Sequence, residues 1–341
     1  MKFVVYNQWD QLPESANALF AQGEQASLFC SRAWLEVLAN QALAEHQSIQ
    51  LVCVLEAERV LAVLPMMTSP RDGLSALSNH YTTLYSLLIT NNHQRDAINF
   101  CLVEGLSQIA PRVIQFEPID DSDDNMTCLR QAMTSYGFES HTYFRFYNWS
   151  HPVNGQSFAE YMAERPANIR NMIERKQRKL EREHGYDIRL FQDVDIEQAL
   201  IDYQMVYQAS WKANELFAEF TPNLVKRAAG LGWLRLAILY IEQKPVAAQI
   251  WFVVNGKANI YRLAYDELWK NYSPGSILTQ YLMRHVIDKD KVSEIDFLTG
   301  NERYKQDWMT MQNERIGVRF LKAVTQESTF SRMIRWMKSK R

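Results

Sequence analysis

The sequence predicts an α/β (α+β) chain in which one plan, a mixed β-sheet flanked by helices, is used twice. Two hairpins carry the first half of this reading. Residues 51–67, LVCVLEAERVLAVLPMM, read as two apolar strands about a polar Glu-Ala-Glu-Arg turn, and residues 236–254, LAILYIEQKPVAAQIWFVV, repeat the pattern about Glu-Gln-Lys-Pro. Each hairpin follows a helical-looking stretch, 31–43 and 196–216 respectively, as an internal duplication would require. The third observation is a βαβ-like unit. Behind the tight-turn signal Asn255-Gly256, residues 258–264 are strand-like. Ser273-Pro274-Gly275-Ser276 then opens a run with Ile277, Leu278, Tyr281, Leu282, His285 and Val286 at helical spacing, and an apolar strand follows at 292–298. Ligands of such units tend to sit where strand ends meet helix N-termini.

Length and composition bound what this plan can be. With 341 residues, 47% apolar and 22% charged, the chain is expected to form two globular domains, 1–150 and 151–330, followed by a basic amphipathic tail, 331–341. A net charge of −2 gives the chain as a whole no electrostatic claim on nucleic acid. Cys30, Cys53, Cys101 and Cys128 form no CxxC pair and read as buried free thiols, and no HExxH or His/Cys cluster suggests a metal. The opening MKFVVYNQWDQLPE is too short in apolar residues for a signal peptide, and no run long enough to span a bilayer occurs, so a cytoplasmic protein is expected.

Two basic segments stand out. In residues 164–183, Ile169, Ile173 and Leu180 share one helical face, and seven basic residues lie between Arg165 and Arg182 against Glu174 and Glu181. The face is either solvated and laced with Glu/Arg pairs or suited to phosphate. Residues 330–341, FSRMIRWMKSKR, place Phe330, Met333, Ile334 and Met337 at helical spacing among basic residues, which fits a helix on an anionic membrane surface or a docked terminal helix.

The strand 292–298 ends in DFLTGNERYKQDW, where charge and aromatics crowd just past Gly300. Taken with IRNMIERKQRKLERE and PVAAQIWFVVNGKANIYRLAYDELWKNYSPGSIL, and with the weaker blocks SLFCSRAWLEVL and LAVLPMM in the first half, this resembles the CelD-type acyltransferases. These belong to the GNAT superfamily, are associated with bacterial polysaccharide synthesis, and are related to the FemAB peptidoglycan aminoacyltransferases. The resemblance covers most of the chain in order. It implies two tandem GNAT-like domains, the first degenerate, each with a partly splayed sheet. It also implies that an acyl-CoA, acetyl-CoA above all, threads between IYRLAYD and SEIDFLTG to meet a sugar or cell-envelope precursor.

That resemblance assigns expected roles. Ser273, Gly275 and Ser276 would offer backbone N–H groups to the donor's pyrophosphate, although NYSPGS departs from the superfamily's R/Q-x-x-G-x-G/A loop and leaves an aminoacyl-tRNA donor as an alternative. Backbone around Leu263 and Ala264 would face the developing oxyanion. Asp296, the one acid inside its strand, is a candidate base or a turn cap. Lys305, with Tyr304 beside it, is expected to support the leaving group or intermediate, and Trp308 packs or walls a sugar ring. Arg170, Arg175, Arg178 and Lys179 would grip phosphates of donor or acceptor. No Cys or Ser occupies a nucleophile motif such as GxSxG, so direct attack in a ternary complex is expected. A non-catalytic binding protein on a degenerate fold is the reading from another class.

Overall fold

A computed structural model describes residues 1–69, 73–90, 93–109 and 112–322. Within this range the strands are β1 (Lys2–Tyr6), β2 (Ile49–Glu56), β3 (Arg59–Ser69), β4 (Gly73–Ala76), β5 (Leu88–Ile89), β6 (Val113–Asp120), β7 (Phe138–Pro152), β8 (Asp187–Phe191), β9 (Leu234–Ile241), β10 (Lys244–Val254), β11 (Lys257–Tyr265), β12 (Glu294–Thr299) and β13 (Met311–Lys322). They form one mixed sheet in the order β1-β2-β3-β4-β6-β13-β7-β12-β11-β10-β9-β8, with β5 on β3.

The order makes the duplication visible. β1 to β4 form an antiparallel run with β6 parallel to β4, and β8 to β11 form the same run with β12 parallel to β11. The hairpins β2–β3 and β9–β10 occupy equivalent places. Their local chemistry is the expected one: Glu242 and Gln243, then Asn255 and Gly256, have positive φ, which matches the strand twist of two-residue hairpin turns. The long strands are exchanged between the halves. β7, which follows β6, pairs with β12; β13, which follows β12, pairs with β6; and β7 and β13 pair with each other along the whole of β13. Each half thus completes the other's edge, and the sheet continues through residue 150.

Helices cover both faces. The helix Arg32–Gln41, capped by the Ser31 hydroxyl accepting from the Trp34 N–H at 3.1 Å, packs against Phe220–Gly230 from the second half. Trp34 meets the Phe220 ring edge-on at 5.6 Å, so one apolar cluster spans both halves. On the opposite face Pro274–Asp288 and Ala167–Glu183 bury Ile277, Leu278, Ile169, Ile173 and Leu180, the positions their periodicity marks.

The helix expected over 196–216 ends early. It spans Ile196–Gln208, after which Ser210 Oγ donates to the Tyr207 carbonyl at 2.6 Å and Tyr207 Oη donates to the Ala213 carbonyl at 2.9 Å. Residues 209–219 therefore form a loop, and it enters the site described below. The basic tail, 330–341, lies outside the described residues. Among the described residues no helix is long and apolar enough to cross a membrane.

Candidate active site

The β11–β12 ladder is short. It joins Lys257–Asn259 to Glu294–Asp296 and stops, although both strands continue. Two irregularities drive them apart. On β11 the register with β10 slips so that Tyr261 is an extra, bulged residue between Ile260 and Arg262. On β12 Leu298 adopts φ +56°, and the register with β7 slips between Asp296 and Thr299. A leucine in the left-handed region stores about 1 kcal/mol or more, a cost usually found where function fixes the backbone. The splay opens a cavity of about 820 Å³, within the size range of small-molecule sites.

Lys305 holds the strand end in this shape. It lies on the short helix Arg303–Trp308, is only 4% exposed, and donates to the carbonyls of Phe297, at 3.1 Å, and Thr299, which flank the strained Leu298. Its third partner is Glu302, at 3.5 Å. Gly300 is required beside it. Its φ is +124°, and a Cβ there would lie 2.2 Å from Glu302 Oε2 and 2.9 Å from Lys305 Nζ. Burial lowers the Lys305 pKa, while Glu302 opposes the shift. Tyr304 faces the cavity half-exposed. Trp308 is buried and lines the cavity, and its carbonyl accepts from Tyr161 Oη at 2.6 Å and Arg165 Nη1 at 3.0 Å.

The helix turn expected to bind a pyrophosphate also borders the cavity, through Gly275 and Ser276. Ser273 is the N-cap, at φ +53°, and its carbonyl receives the Ser276 and Ile277 N–H groups at 3.0 and 3.2 Å. Pro274 has no N–H, and among the described residues the Gly275 amide is the one in this turn without a backbone acceptor. Gly275 is close to the opposite wall: a Cβ there would lie 3.2 Å from Tyr265 and 3.7 Å from Leu263.

Several expected site residues lie elsewhere. Asp296 does not face this cavity. Period-two alternation along β12 turns it the other way, into a polar cavity of about 180 Å³ shared with Asn148, Asp120 and Arg315. There its Oδ1 accepts from Asn148 Nδ2 at 3.0 Å and from the Leu298 N–H at 2.7 Å, and burial raises its pKa. The geometry makes it the cap of the strand kink rather than a base at the cleft. Ala264 is buried in the core and does not line the cavity, whereas Leu263 does. The basic helix presents Asn168, Ile169 and Met172 to the cavity and keeps its cations outside. Arg178 pairs with Glu174; Lys179 lies 3.8 Å from Glu183 and 4.6 Å from the Tyr272 ring centre; Arg170 Nε donates to the Arg165 carbonyl at 3.1 Å; and Arg175 is exposed. The phosphate grip expected of these four is not built at this cleft.

The structure supplies residues that sequence reading did not reach. Lys212, in the loop 209–219, lines the cavity, and burial together with the Arg262 charge lowers its pKa to about 8. Arg262, on β11 beside the bulge, pairs with Glu215 at 3.0 Å. His80, Tyr81 and Thr83 from the first half close the far wall. Burial and Arg262 also lower the His80 pKa. No motif marks these positions, and the only signal was that charged residues recur past the end of an apolar helix.

Residues 167–306 match the protein-family model for the acetyltransferase (GNAT) domain. The segment contains the basic helix, the splayed strands, the Gly275 turn and Lys305, and the match supports an acyltransferase. Solved structures resemble nearly the whole chain. A FemX crystal structure aligns with a TM-score of 0.65 at 10% identity, covering 94% of this chain and 97% of the other. A tandem GNAT protein from the clavulanic acid biosynthesis pathway gives 0.54 at 10% identity, covering 95% and 99%. A conserved protein of unknown function from Bacteroides thetaiotaomicron VPI-5482 gives 0.63 at 10% identity, covering 93% and 99%. At such identities the likeness is one of fold. No curated protein sequence matches the chain.

Proposed function

We propose that the chain transfers an acyl group, acetyl in the first instance, from an acyl-CoA lying between β11 and β12 to an amine or hydroxyl that enters from the side of the first half. The observation that carries this reading is the ladder that stops at Asn259 and opens into a cavity bordered by a helix N-terminus. Neutral Lys212 takes the acceptor's proton as its nitrogen or oxygen bonds the thioester carbonyl. The tetrahedral oxyanion collapses, the C–S bond breaks, and Tyr304 gives a proton to the departing thiolate. Lys305 positions the strand end and contributes its buried positive charge to the oxyanion's surroundings. The CelD-type resemblance directs the acceptor search to sugars and cell-envelope precursors. Incubation with acetyl-CoA and an acceptor panel, with free thiol measured, tests the proposal; thiol release that never depends on an acceptor would overturn it.

One observation favours a second donor. The Pro274 turn offers a single open amide, fewer than a pyrophosphate cradle of the usual superfamily loop, and the likeness to FemX fits an aminoacyl-tRNA donor in its place. Transfer from charged tRNA with none from acyl-CoA would establish that reading.

The role of Lys212 predicts a pH dependence. Its ammonium must lose a proton to act as a base, so the rate should rise with pH through about 8 and then level. Lys212→Met should abolish this limb and lower kcat by about 10²-fold or more. Stability follows the same sign. The folded value lies below the ordinary 10.5, so the unfolded chain binds more protons between the two values, and folding stability should increase as pH rises from about 8. A kcat profile without the limb would remove Lys212 from the proton transfer.

A further inference from the structure

Three hydrogen-bond donors that line the cavity, the Tyr81 and Tyr261 hydroxyls and Arg262 Nε, have no acceptor of their own. The hydroxyls of Tyr81, Tyr203 and Tyr261 and the Nε of Arg262 are buried and have no partner among the described residues. Tyr81 is 3% exposed and Tyr203 4%, so bulk water does not serve them. The rings of Tyr81 and Tyr261 lie 5.1 Å from the Arg262 guanidinium, and Tyr203 feels the same charge. A buried donor left without an acceptor costs about 1–3 kcal/mol. Three at the wall of one cavity, with the Tyr203 hydroxyl unpartnered behind them, is a pattern that a packed core avoids.

We infer that this cluster is the subsite for a carboxylate carried by the acyl acceptor, an inference that rests on the acyl-transfer reading of the same cavity. The chemistry matches in number and in charge. A carboxylate offers about four lone-pair sites, enough to accept from all three lining donors. Arg262 is already paired with Glu215, and Lys212 is neutral when it acts as the base, so the site carries little positive surplus and suits a single negative charge better than a phosphate dianion.

Strand alternation assigns the subsite to the acceptor. Leu263 and Tyr265 lie against Gly275, on the donor's side, while Arg262 points the other way, toward Glu215 and Tyr81 of the first half. A carboxylate at Arg262 leaves the acceptor's amine within the neighbourhood of Lys212. The acceptor class is therefore an amino acid, or a molecule ending in one, with its carboxylate free.

Calorimetric titration of the full chain with L-alanine, L-alaninamide and inorganic phosphate tests this without any turnover. L-alanine should bind saturably and about tenfold or more tighter than the amide, and phosphate should not displace it. Tyr81→Phe and Tyr261→Phe should each weaken L-alanine binding about tenfold while leaving the thermal midpoint unchanged or higher, because the hydroxyl removed has no partner in the protein. Absence of L-alanine binding, equal affinity for the amide, displacement by phosphate, unchanged affinity in both Phe variants, or a lowered midpoint would each overturn the assignment. Titrating the same preparation with acetyl-CoA keeps the two claims apart. A chain that binds the donor but not L-alanine loses only the subsite, and one that binds L-alanine but not the donor loses only the acyl-CoA reading.

Discussion

Lys305→Ala should lower turnover by about 10²-fold and destabilise the fold by about 2 kcal/mol at the same time. The two effects share one cause. Lys305 Nζ is the donor to the Phe297 and Thr299 carbonyls, and between them Leu298 sits at φ +56°. Without the ammonium two carbonyls lose their bond and nothing opposes relaxation of the kink, so the strand end is expected to move toward β11 and narrow the cleft. Donor affinity should fall along with kcat, whereas a lysine acting purely through its charge would change kcat alone. Lys305→Met separates packing from hydrogen bonding, since it keeps the length and loses the donors. It should fail as badly as the alanine variant, and a methionine variant with parental turnover would show that the clamp is dispensable.

The second large effect is expected at Gly275. Its Cβ position already lies 3.2 Å from Tyr265, so alanine forces a small adjustment, but phenylalanine fills the gap between the helix N-terminus and β11 where the donor must pass. Gly275→Phe should weaken acyl-CoA binding by about 10²-fold, some 2.7 kcal/mol, with kcat on bound donor much less affected. The variant's thermal midpoint checks that the fold survives, because the side chain would enter the cavity rather than the core. Parental CoA affinity in a folded Gly275→Phe protein would move the donor's path away from this turn.

The expected features of this site were legible where the signal is local. Asn255-Gly256 names its own turn, Ser273-Pro274-Gly275 its own helix start, and the crowding after Gly300 its strand end. The position of Asp296 was also readable: alternation along 294–297 already places it opposite Phe297, but its rarity as an acid in an apolar strand drew attention to its chemistry rather than its direction. The basic helix misled for a related reason. Two of its cations pair along its own surface, Arg178 with Glu174 and Lys179 with Glu183, none of the four expected cations lines the cavity, and composition does not say which way a helix faces.

What could not be read depends on distant parts of the chain. The exchange of β7 and β13 is fixed by pairing between strands more than a hundred residues apart, as in Asn313 opposite Asn148. The loop 209–219 contains Trp, Lys, Ala, Glu and Leu, residues a helix accepts readily, and its departure from helix is held by contacts such as Glu215 with Arg262. Tyr81 and His80 come from a stretch with no periodicity at all. That loop and that stretch supply His80, Tyr81, Thr83, Trp211 and Lys212 to the wall of the cleft.

The central claim is that the gap between β11 and β12 holds an acyl-CoA. Titration of the full chain with acetyl-CoA and with free CoA by calorimetry tests it most directly. The account predicts saturable one-to-one binding of both at micromolar strength, about −8 kcal/mol, and loss of most of that affinity in Gly275→Phe. Failure of both ligands to bind the folded parental protein would contradict it.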